Sequence, residues 1–250
     1  MSVASHLIAY GDTQTDLFRG AIMQSGSPTT NTFSGLNATG PAFAQLLANV
    51  SCTDAADAVQ CLREVPSEVM SKATTLYDWF PTIDGSLIPE SPTKQLAAGR
   101  FIHLPIIAGT VTDEGTFFGT KGINSDEDLK DALRTSYPNI RNSTIDKFLA
   151  LYPDDASLGS PYNTGDGYLP TGRQDKRSCS LYGDLVMIGP KRLVAESMVK
   201  KESDVWAFRF NQVPTYLWQT YGALNLGVSR ATSRHATPRL PPQTRPSPTR

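Results

Sequence analysis

Apolar positions along the chain alternate between short continuous runs and spaced, helix-like stripes. Leu104-Pro-Ile-Ile-Ala-Gly109 is apolar, partly β-branched and closed by glycine, and Val205-Trp-Ala-Phe-Arg-Phe210 is of the same kind, so both predict strands. A third short run lies within Phe18-Arg-Gly-Ala-Ile-Met-Gln-Ser-Gly-Ser-Pro28 and ends on a Gly/Ser/Pro turn. Residues 2–10 predict a helix with Val3, Leu7 and Ile8 on one face. Further helices are expected over residues 42–47, 54–63, 126–134, 144–151 and 184–200. Continuous apolar strands separated by helical stretches are what a parallel sheet covered on both faces requires, so the expected class is α/β.

Composition narrows the function classes. With 250 residues and 39% apolar content, the chain can bury a substantial core. The 23 Lys plus Arg against 24 Asp plus Glu leave no basic footprint for a phosphate backbone, so nucleic acid is not an expected partner. No apolar stretch approaches the ~20 residues of a membrane span. Residues 1–12 have neither a basic start nor a long apolar core, so they are not read as a signal peptide.

Charge is unevenly spread. Residues 229–250 hold five Arg, five Pro and no acid, and are read as a disordered Arg/Pro-rich tail foreign to the fold. The domain is then residues 1–228, with 18 positive against 24 negative charges. Cys52 and Cys61 have a spacing that a small disulfide loop closes, with unpaired thiols on a helical segment about equally compatible, and Cys179 is left over. Sequons at Asn37, Asn49 and Asn142 are weak glycosylation signals.

In an open parallel sheet, chemistry collects at the carboxyl ends of the strands. Thr110-Val-Thr-Asp-Glu-Gly-Thr116 is the best such loop. Adjacent carboxylates are wrongly spaced for a glycosidase pair, so Asp113 or Glu114 either caps the next helix or orients a histidine. Of the three histidines, His6 sits on an early helix, His103 precedes a strand at its non-catalytic end, and His235 lies in the tail. No histidine and acid set has metal-ligand spacing, and the cysteines form no C-x-x-C, so neither a metal nor a cofactor is expected. None of the 22 serines stands in G-x-S-x-G; Ser25 in Gln-Ser-Gly-Ser-Pro comes nearest and lacks the first glycine.

Several blocks together resemble the type-B carboxylesterase/lipase family, the cholinesterase-like α/β hydrolases, in their fungal secreted form. They are Met1-Ser-Val-Ala-Ser-His6; Leu17-Phe-Arg-Gly-Ala-Ile-Met-Gln-Ser-Gly-Ser-Pro28; Cys52 to Cys61-Leu-Arg63; Phe80-Pro-Thr-Ile-Asp-Gly-Ser-Leu-Ile-Pro89; Leu104 to Phe117; Tyr182-Gly-Asp-Leu-Val186; and Trp206-Ala-Phe-Arg-Phe-Asn211. The resemblance implies a serine, glutamate and histidine triad in that chain order, hydrolysing carboxylic esters through an acyl-enzyme. Glu114 matches the family's acid, Ser25 matches a position beside that acid, and Cys52 with Cys61 matches a family disulfide. The family also implies secretion and an ester as substrate; no partner protein is implied.

Two departures matter. The family's Gly-Glu-Ser-Ala-Gly turn would precede Met1, so the expected fold is a partial α/β-hydrolase fold without its amino-terminal half. The nucleophile and oxyanion loop would then lie outside these residues, and the chain by itself is expected to be inactive. His235 resembles the family histidine displaced by about five positions. The alternative expectations are a non-catalytic cholinesterase-like binding module and an interaction protein using its basic tail.

Overall fold

A computed structural model describes residues 2–13, 16–30, 33–75 and 79–212. In chain order the elements are α1 (Ser2–Ile8), β1 (Ala21–Gln24), β2 (Ser34–Gly35), α2 (Leu36–Asn49), α3 (Ala58–Glu64), α4 (Ser67–Thr74), β3 (Thr82–Ile83) and α5 (Pro92–Ala98). They continue with β4 (Ile106–Val111), α6 (Glu114–Phe118), α7 (Asp126–Ser136), α8 (Asn142–Leu151), α9 (Asp175–Gly183), α10 (Gly189–Val199) and β5 (Val205–Phe210). Strands β1, β4 and β5 form a three-stranded sheet with β4 in the centre. Both pairings are parallel, aligning Ala21, Ile106 and Val205 in one row and Ile22, Ile107 and Trp206 in the next. β2 and β3 make a separate two-residue parallel pair.

The strand period of two decides what is buried. Ala21, Met23, Ile106 and Ala108 face a core shared with Ala4, Leu7 and Ile8 of α1, Leu96 of α5, and Val194 and Met198 of α10. The expected helix face at the start of the chain is corrected by one position: Ala4, Leu7 and Ile8 are buried, whereas Val3 is exposed. On the sheet's other face, Ile22 is 59%, Ile107 37% and Trp206 56% exposed.

Local signals explain the well-placed helices. Ser91 caps α5 by accepting from the Lys94 amide, Pro92 fills its first turn, and Gly99 ends it in the left-handed region at φ 74°. Ser125 and Asp128 form a reciprocal capping box at the start of α7. The strand expected over 104–109 begins two residues later, at Ile106, because Pro105 has no amide hydrogen to give a ladder; its carbonyl accepts from Ala21 instead.

Two helices depart further from expectation. The helix expected over 42–47 runs over Leu36–Asn49, tolerating Pro41 inside it. The one expected over 184–200 opens as a π-helical turn, Asp184–Ile188, which joins α9 to α10. Pro190 in the first turn of α10 lacks the donor that a regular ladder needs there, which fits a wider turn at this point. α9 is absent from the sequence reading because Asp175-Lys-Arg-Ser-Cys-Ser180 looks like a solvated segment. It is buried along its whole length.

Candidate active site

Glu114 is the first residue of α6, just past the carboxyl end of the central strand. Its carboxylate turns back and accepts the Val111 amide at 2.8 Å. The Ser25 side chain also hydrogen-bonds to it. Ser25 follows β1 and continues the ladder, its amide donating to the Gly109 carbonyl at 2.7 Å. It does so with φ at 74°, a left-handed conformation that costs a non-glycine residue about 1–2 kcal/mol. A third group acts from α10: Lys191 donates to the Thr110 hydroxyl at 3.0 Å and exerts a favourable charge on Glu114.

Glu114 is 4% exposed. Burial, the dominant effect, pushes its carboxyl above the usual glutamate range; the Ser25 and Val111 hydrogen bonds and the Lys191 charge oppose it. The site thus holds one carboxylate, fixed by two hydrogen bonds and under the charge of Lys191, at the end of a parallel strand. Such a group can orient an imidazole and stabilise its protonated form.

The capping alternative for the two acids fails. Asp113 occupies the N-cap of α6 but makes no side-chain cap. Its carboxylate instead accepts the Tyr162 amide at 2.8 Å and the Ser160 hydroxyl at 3.3 Å, tying α6 to the loop before α9.

α6 is held by backbone contact. A Cβ on Gly115 would stand 1.6 Å from the Cys179 carbonyl oxygen, and one on Gly119 would stand 2.8 Å from the Cys179 Cα. These glycines let α6 lie directly on α9. The spacing Gly115-x-x-x-Gly119 was legible in the sequence, though nothing there named the facing helix. Phe117 and Phe118 project from the same turn, 74% and 45% exposed, with their rings edge to face at 5.1 Å.

The other expected residues separate. His103 lies before β4, at the end of the sheet away from Glu114, where its ring nitrogen pairs with the Gly99 carbonyl at 3.2 Å. His6 is exposed on α1 and meets Phe18 edge to face. His235 and the proposed tail boundary at 228/229 fall outside the described residues. Cys52 and Cys61 form a disulfide. Asn37, Asn49 and Asn142 are all exposed. Among the described residues, no group of three or more histidine, cysteine or acidic side chains is arranged for a metal, and no helix is long and apolar enough to cross a membrane. Lys191 and Thr110 were missed because their partnership joins α10 to β4 across the fold.

The family model described as Carboxylesterase family matches residues 1–237. Lipase 2 of Geotrichum candidum is 31% identical over 234 residues, which are 83% of this chain and 40% of that protein. A secreted triacylglycerol lipase of Gibberella zeae is 26% identical, over 83% of this chain and 39% of its own. Among solved structures, Aspergillus niger EstA superposes with a TM-score of 0.67 at 27% identity, over 90% of this chain and 43% of EstA. This chain therefore spans about two fifths of the length of these relatives. With its parallel sheet, its buried strand-end carboxylate and a family match along nearly all its length, this chain belongs to the carboxylesterase family and has the α/β-hydrolase fold.

Proposed function

We propose that these residues supply the acid arm of a secreted carboxylic-ester hydrolase, with Glu114 as the triad glutamate. One observation carries the reading: a carboxylate 4% exposed, at the carboxyl end of the central parallel strand, fixed by the Val111 amide and the Ser25 hydroxyl. Ser25 is its supporting residue. His235 falls within the family match and is the proposed histidine. The nucleophile is proposed to lie in protein outside these residues, which fits the absence of G-x-S-x-G among 22 serines and the uncovered row Ile22, Ile107 and Trp206. Relatives named as secreted lipases support an extracellular setting, and glycans are proposed at Asn37, Asn49 and Asn142.

In this mechanism the serine hydroxyl attacks the ester carbonyl while the histidine takes its proton. Glu114 holds that imidazole in the required tautomer and stabilises the imidazolium. The test compares the 250-residue chain with a longer gene product that carries an elbow serine, using a short-chain nitrophenyl ester and a fluorophosphonate probe. The shorter chain is expected to stay at the buffer rate and take up no probe. In the longer protein, Glu114→Gln is expected to lower kcat by about 10⁴-fold. Turnover by the shorter chain, or a Glu114→Gln variant within about tenfold of its parent, refutes the reading.

A further inference from the structure

Lys191 is the third residue of α10, a helix packed on β4 and β5. Its side chain crosses to the sheet, where the ammonium donates to Thr110 Oγ1 at 3.0 Å. Thr110 is 1% exposed and immediately precedes Val111, whose amide binds Glu114. The cation is therefore anchored one residue from the backbone group that fixes the carboxylate. Two like charges act on it, Arg192 on its own helix and Arg209 on β5. Glu114 is the acid that acts on it. Drawing an ammonium half out of water beside two guanidinium groups is costly, and a facing carboxylate offsets that cost.

We propose that Lys191 is a positioning residue for Glu114: held on the Thr110 hydroxyl, its ammonium fixes a positive charge one residue from the Val111 amide that binds the buried carboxylate. The triad consequence rests on Glu114 being the acid of the ester hydrolase. Burial alone favours the neutral carboxyl, which has lost the charge that steadies an imidazolium. Ser25 and the Val111 amide oppose that tendency by hydrogen bonding. Lys191 opposes it by charge, and a formal charge acts whatever the torsion of the carboxylate.

The test is a titration of the chain labelled with 13C at the glutamate carboxyl carbon, with the Glu114 resonance assigned by its loss in Glu114→Gln. Lys191→Met is expected to raise the Glu114 midpoint by about 0.5–1 pH unit, as removal of a partly screened nearby cation should. Lys191→Arg should restore it. Thr110→Val, which keeps the cation but removes its anchor, should give a smaller rise. Lys191→Gln repeats the measurement if the Met variant does not fold. In the longer, active protein the acidic limb of kcat/KM should move up with the midpoint. An unmoved midpoint in the neutral variants, or an equal rise in Lys191→Arg, overturns the proposal. An unmoved limb beneath a moved midpoint overturns its triad consequence. Should Glu114→Gln retain full activity, the ester-hydrolase reading fails, while the midpoint still decides whether Lys191 governs the carboxylate.

Discussion

Gly115→Ala adds one methyl group where the structure has no room for any atom. The new Cβ would lie 1.6 Å from the Cys179 carbonyl oxygen, 2.6 Å from its carbonyl carbon and 2.7 Å from the Gly183 amide nitrogen. All three neighbours are backbone of α9, so no rotamer change relieves the contact. Ordinary carbon contact needs about 3.5 Å, so α6 must retreat from α9 by about 2 Å. Overpacking costs about 1–3 kcal/mol when side chains can yield, and rigid backbone on both sides places this case at or beyond about 3 kcal/mol. For a chain of this size that lowers Tm by about 6–12 °C. The same shift carries Glu114 away from the Val111 amide, so, on the proposed function, ester hydrolysis by the longer protein should fall even where the variant stays folded. Thermal unfolding by circular dichroism reads the first effect and nitrophenyl ester turnover the second. Gly20→Ala is the control. Its Cβ meets only the Pro105 carbonyl at an ordinary 3.5 Å, and it should be neutral or gain about 0.4–1 kcal/mol. A Gly115→Ala protein melting within about 2 °C of its parent would refute the claim that α6 and α9 touch backbone to backbone.

Four further outcomes are expected. Because burial raises the Glu114 carboxyl in the fold, its stabilising effect is present below the usual glutamate range and lost as pH rises through the folded value. Glu114→Gln should therefore gain Tm on its parent between about pH 4 and pH 7, and a pH-independent difference sinks that account. Replacing Cys52 and Cys61 together with serine should cost about 2–3 kcal/mol in urea unfolding, the loop-entropy value for a separation of 9 residues; equal midpoints with and without reductant count against it. Arg177 is buried and donates to the Tyr152 and Leu149 carbonyls as well as to Asp126, so Arg177→Met should cost about 2–4 kcal/mol, mostly from orphaned carbonyls. A loss unchanged by Asp126→Asn supports that split, and a loss removed by it does not. Ser25→Gly should relieve about 1 kcal/mol of left-handed strain while raising the Glu114 midpoint, whereas Ser25→Ala should raise the midpoint without the relief; identical stabilities contradict the strain.

What could be read in the sequence was whatever depends on neighbours along the chain. The β5 run is a strand over the expected residues, Val205–Phe210, and the short apolar run within Phe18 to Pro28 holds β1. Glu114 was singled out by the loop it occupies and by the resemblance of the residues around it. Two kinds of feature were hidden. α9 looks polar because its Asp175, Arg177, Ser178 and Ser180 find partners inside: Asp175 accepts the Ile123 amide, and Ser178 donates to the Thr120 carbonyl. Periodicity reports apolar burial and is blind to a helix buried through satisfied polar groups. Lys191 was hidden because residues 81 positions apart meet only once α10 lies on the sheet.

That buried polar helix bears on the carboxylate itself. α6 is short, Glu114–Phe118, and a helix of that length has little stability of its own. Its orientation must come from what it touches. On one side Gly115 and Gly119 rest on the α9 backbone. On another, Asp113 and Thr116 both bond to Ser160, whose amide is in turn held by the Ser180 hydroxyl of α9. α9 is itself locked by the interior partners of Asp175, Arg177 and Ser178. Rigidity thus reaches Glu114 through backbone and hydrogen bonds, which hold a position more tightly than apolar packing alone. On the proposed triad role, a carboxylate that holds an imidazole must itself be immobile, and the polar sequence of α9 is the physical source of that immobility.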